Sequence, residues 1–96
     1  VAMMERGVMT TYDLDRLDNK TLMAFWARVH FHPVKTAREI FPKRRPRYVA
    51  ATEVLGAYAA NRAAMLTCKE RNDKRGMSVY QHICDILKDD LPLWAD

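Results

Sequence analysis

An all-α fold is predicted for this chain of 96 residues, on three observations. Glycine (3) and proline (4) are too few for a turn-rich β-sandwich. Apolar residues recur at intervals of three and four along most of the chain, which is the helical period. The prolines fall where those patterns begin or end, where a missing N–H and a fixed φ do least harm. The expected architecture is an antiparallel hairpin of two long helices with two shorter N-terminal helices packed across it, a small helical bundle. An apolar fraction of 49% and a charged fraction of 29% are those of a globular chain, and its length suits one domain.

Residues 1–11 read as a disordered N-terminal extension, and residues 12–96 as the single helical domain. Met9-Thr10-Thr11 would itself make a protein start, so residues 1–8 read as upstream of it. The first helix is expected from Asp18 or Asn19, with Asp18 as N-cap and Leu17 stapled onto Leu22. Leu22, Phe25, Trp26 and Val29 form its apolar stripe. It should end at His30 to Phe31, because His32 precedes Pro33 and is biased away from helical backbone.

Pro33 then suits the first turn of a short second helix, whose apolar face is Val34, Ala37, Ile40 and Phe41 and whose stop is Pro42. Pro46 opens a third helix running to about Asn72, roughly 26 residues and about 39 Å long at the usual rise. Its two adjacent stripes are Tyr48, Ala51, Leu55, Tyr58 and Met65, and Val54, Ala57, Ala64 and Cys68. So wide and alanine-rich an arc places this helix centrally, approached from more than one side. Asn72-Asp73-Lys74-Arg75-Gly76 reads as a turn. The fourth helix carries Val79, Tyr80, Ile83, Cys84, Ile86, Leu87 and Leu91 and ends at Pro92. With the turn centred near Gly76, Cys68 and Cys84 stand at the same level, their Cα atoms within about 10 Å.

Charge is polarised along the chain. Residues 35–47 carry Lys35, Arg38, Lys43, Arg44, Arg45 and Arg47 against Glu39 alone, whereas residues 76–96 carry Lys88 against Asp85, Asp89, Asp90 and Asp96. A cationic stretch feeding a helix N-terminus can receive an anion, since side-chain charge and free backbone N–H groups point to one place. Those six cations are therefore the candidate anion- or nucleic-acid-binding residues. The first two helices could form a helix-turn-helix variant presenting Lys35, Arg38 and Glu39 to a major groove. Against that, the turn holds no glycine, the second helix is short, and it carries no Asn or Gln to read adenine. The alternative is a solvated basic linker.

Other constellations carry less. Cys68 and Cys84 read as buried free thiols rather than a disulfide or a redox pair. His30, His32 and His82 do not make a metal-ligand spacing with them, so no metal site and no cofactor are expected. Arg62, between apolar stripes, either pairs with Asp85 or Glu53 or snorkels to the surface, and snorkelling is the preferred reading. Trp94 either packs on the core or, beside the acidic tail, docks on another protein. There is no Gly-rich phosphate loop and no nucleophile with a base at useful spacing, so an enzyme is not expected. No apolar run approaches the ~20 residues of a membrane span, and no secretory signal pattern opens the chain; a cytoplasmic location is the default expectation. The function expected is that of a non-enzymatic, self-associating interaction module, whose partner is itself or another protein. The alternative is binding of DNA or RNA through residues 35–47.

Overall fold

The computed structural model describes residues 10–41 and 46–90, the side chains of Pro46 and Arg47 excepted. Those residues fold into five helices packed together: α1 (Thr11–Asp15), α2 (Asn19–Phe31), α3 (Pro33–Ile40), α4 (Pro46–Glu70) and α5 (Lys74–Asp89). Helix α4 is central, and each of the other four packs against it. Its breadth of small residues explains this: Ala51, Thr52, Leu55, Gly56, Tyr58, Ala59 and Ala63 are all buried, spread over more than one side. The buried threonine is satisfied locally, Thr52 Oγ1 donating to the Tyr48 carbonyl at 2.7 Å.

The first short helix was not foreseen. Thr10 and Thr11, counted in the N-terminal extension by the sequence reading, are buried, and Leu14 is wholly enclosed. Thr10 caps α1, its backbone N–H donating to Asp13 Oδ2 at 2.9 Å. One turn is too short to show an apolar period; the legible trace was the Thr-x-x-Asp spacing of a capping box. Residues 1–9, the linker residues 42–45 and the tail 91–96 with Trp94 lie outside the described residues.

Helix α2 starts as expected: Asp18 Oδ1 accepts from the Thr21 N–H at 2.8 Å. This hydrogen bonding to Thr21 holds the Asp18 carboxyl below its usual range. Leu22, Phe25 and Val29 are buried, whereas Trp26 is only half-buried. Near the start of α2, Asn19 Nδ2 donates to Thr67 Oγ1 at 2.7 Å, and near its end Val29 meets Gly56. The two helices thus run in opposite directions. A Cβ built on Gly56 would stand 2.8 Å from Val29 Cγ1 and 2.9 Å from Val29 Cβ, so only glycine permits this approach. Gly56→Ala is expected to destabilise the fold by about 1–2 kcal/mol, overpacking outweighing the gain in helix propensity. Thermal unfolding of the variant alone and combined with Val29→Ala checks this, because the smaller partner should relieve the clash.

A single residue, His32, separates α2 from α3, and Pro33 opens α3. The buried face of α3 is turned from the one expected. Thr36 is 1% exposed and Val34 49% exposed, with Ala37, Ile40 and Phe41 buried. Thr36 tolerates the core because its hydroxyl donates to the Arg28 carbonyl at 3.1 Å. On the outside, Arg28 and Glu39 clasp the two helices in an ion pair. The Phe41 ring stacks on Tyr48 at 4.9 Å, closing α3 onto α4.

The turn after α4 is tighter and earlier than expected. Asn72 takes a left-handed φ of 56°, the Asp73 N–H donates to the Cys68 carbonyl and the Asn72 N–H to the Lys69 carbonyl. This is a Schellman ending. Asp73 then caps α5 through the Gly76 N–H, so Gly76 lies inside the helix rather than at the turn. The shift also corrects the cysteine geometry. Cys68 Sγ would stand 2.7 Å from a Cβ on Gly76, whereas Cys84 follows two turns later, about 12 Å along the axis. The two thiols are free and at different levels.

Candidate functional site

Of the six cations singled out from sequence, two are placed. Lys35 and Arg38 are three residues apart on α3 and both are exposed. Neither meets a carboxylate among the described residues, because Glu39, the acidic residue of that helix, is engaged by Arg28. Lys43, Arg44 and Arg45 lie outside the described residues, as does the Arg47 side chain, although Arg47 itself is the second residue of α4. Exposed beside the pair are Phe31, at 70%, and Val34. The α2–α3 corner therefore shows two cations and two apolar side chains to solvent.

A polar cluster unites α1, α4 and α5. Asp15 accepts a hydrogen bond from the Tyr58 hydroxyl, and Arg62 Nε lies 3.4 Å from Asp15 Oδ1. Arg62 Nη2 also donates to the Asp15 carbonyl at 3.3 Å, and Lys88 Nζ stands 3.7 Å from Asp15 Oδ2 and 5.9 Å above the Tyr58 ring. Arg62 therefore neither snorkels freely nor pairs with Asp85 or Glu53. Its partner is in the one helix that the sequence reading missed. Burial foremost, then the bond to Asp15 and its charge, push the Tyr58 phenol far above its ordinary range.

This cluster ties α1 to α4 and α5. Burial raises the Cys84 thiol, opposed by the nearby Arg62, and burial with the Asp73 carboxylate raises Cys68. Both are poor sources of thiolate at neutral pH. Among the described residues no group of three or more His, Cys, Asp or Glu side chains is placed to hold a metal ion, and no helix is long and apolar enough to cross a membrane.

Two further surfaces remain. On α5, Val79 and Ile86 are 52% and 49% exposed, with the half-buried Ile83 between them. Between α2, the start of α3 and α4 lies an open cleft of about 230 Å³, lined by Trp26, Val29, His30, Pro33, Glu53 and Gly56 among others. Compared with protein-family models, curated proteins and solved structures, the chain matches none.

Proposed function

We propose that this chain is a non-enzymatic interaction module that associates with a second copy of itself. The observation that carries the reading is the outer stripe of α5. Val79, Ile83 and Ile86 follow one another at intervals of four and three, the spacing of a helix–helix seam, and two of them are about half exposed. Helix α5 packs chiefly on α4, which leaves that flank open to another helix. We infer that α4 and α5 form the antiparallel hairpin expected from the sequence, which would present this seam along its edge. A cytoplasmic setting and the absence of catalysis belong to the same proposal.

The mass in solution tests it. Sedimentation equilibrium should give a mass that rises with concentration above the 11.2 kDa of one chain, and Ile86→Glu should hold it at one chain without unfolding it. A single-chain mass for the unsubstituted protein at high concentration defeats the reading.

One observation favours a second reading, nucleic-acid binding. Lys35 and Arg38 stand exposed on one helix with no carboxylate against them among the described residues, and the basic run of residues 43–47 follows them in the sequence. Binding to DNA or RNA should then fall steeply between ~50 and ~200 mM salt and weaken when Arg44, Arg45 and Arg47 become alanine. Unchanged affinity in that triple variant removes this reading.

A further inference from the structure

We propose that the cleft between α2 and α4 receives the guanidinium group of an arginine side chain. The inference is independent of self-association through α5, since it rests on different helices.

The cleft follows from residue sizes. At its floor Gly56 lets α4 approach Val29 as closely as the backbone allows, and glycine has no side chain with which to fill the groove beside that contact. Trp26 and His30, one turn apart on α2, stack on each other at 5.1 Å and 15° instead of folding over it. Phe31 meets His30 edge-on at 5.0 Å. The stacked Trp26–His30 pair therefore lines the α2 side, and an exposed carboxylate, Glu53, stands on the α4 side.

Among the described residues Glu53 has no cation partner and no hydrogen-bond partner. A carboxylate that shares a cleft with aromatic rings best suits a cation with two qualities. It must be flat, to lie along the ring face, and it must offer paired N–H donors to both carboxylate oxygens. Guanidinium has both, and an ammonium group has only the charge. Size sets the other limit. Sites that enclose a cofactor or a drug-sized molecule start at about 300 Å³, so a cleft of about 230 Å³ open to solvent suits one side chain rather than a whole cofactor. Its openness leaves room for the polypeptide backbone that would carry the arginine.

The test is an NMR titration of the full chain with N-acetyl-arginine amide, using the uncharged isostere N-acetyl-citrulline amide and N-acetyl-lysine amide as controls. The Trp26 indole N–H, assigned by its loss in Trp26→Phe, and the Gly56 amide should shift saturably, with a Kd of roughly millimolar order for one exposed site. Citrulline should not produce the shift, and lysine should bind at least fivefold more weakly. Glu53→Gln should weaken arginine binding at least fivefold while leaving the unfolding temperature unchanged, because Glu53 is exposed and holds no ion pair or hydrogen bond among the described residues. No saturable shift, equal binding of citrulline or lysine, or an unaltered Kd in Glu53→Gln would each overturn the proposal.

Discussion

Leu55→Ala is expected to cost about 3 kcal/mol, a fall in unfolding temperature of roughly 15 °C for a domain of this size. Leu55 is fully enclosed near the middle of α4, in the cluster that joins Leu14 of α1, Leu22, Phe25 and Val29 of α2, Ile40 of α3 and Cys84 of α5. Truncation removes buried methyl groups from the one helix that every other helix touches, and the surrounding side chains cannot close the void without moving helices that are pinned elsewhere. The helix backbone will not offset this, since alanine gains only a few tenths of a kcal/mol over leucine in propensity. Chemical denaturation with an unchanged m-value checks the figure. A loss below about 1 kcal/mol would mean that the cavity collapses and that α4 is less constrained than its packing shows.

Asp15→Ala should cost about 2 kcal/mol, more than its half-buried position alone suggests. Three partners lose their carboxylate at once: the Tyr58 hydroxyl, the Arg62 guanidinium and, more weakly, the exposed Lys88 ammonium. Arg62 is the largest loser, because its Nε is shut away from water and makes no hydrogen bond, so the Asp15 carboxylate 3.4 Å away is what balances its charge. Replacing Arg62 by methionine in the same chain should recover part of the loss, since an apolar side chain leaves no buried charge behind. The cluster also predicts an alkaline limit. Tyr58 keeps its proton in the folded chain well above the ordinary phenol value of 10.0, so the folded state holds one more proton than the unfolded state above that pH. Stability contributed by Tyr58 is thus complete below about pH 10 and declines as the pH rises further. Tyr58→Phe should remove that decline while costing about 1 kcal/mol at neutral pH. An identical alkaline slope in Tyr58→Phe would assign the effect to other groups.

Helix starts were legible because each rests on a local chemical signal. Asp18 caps α2, Pro33 opens α3 and Pro46 opens α4, all within a few residues of the group they satisfy. What the sequence reading missed depends on contacts distant in the chain. Val34 is the better apolar residue on α3, yet Thr36 occupies the core because the Arg28 carbonyl, eight residues back, takes its hydroxyl. The turn was centred on Gly76 by the ordinary preference for glycine, whereas Asn72 adopts the left-handed backbone instead. Of the candidate site, sequence reasoning found the cations and not the cleft. Trp26 and Glu53 lie 27 positions apart on separate helices, and only the close approach at Gly56 brings them together.

The Asp15 cluster has a consequence for the order in which the chain assembles. Its bonds to Tyr58 and Arg62 join residues 43 and 47 positions apart, whereas α4 and α5 meet across a turn of three residues. Loop closure favours the near contacts, so α1 should dock late, onto a surface that the other helices have already made. Substitutions at Asp15 should therefore leave the folding rate almost unchanged and accelerate unfolding, making the smallest helix the latch that sets the lifetime of the native state.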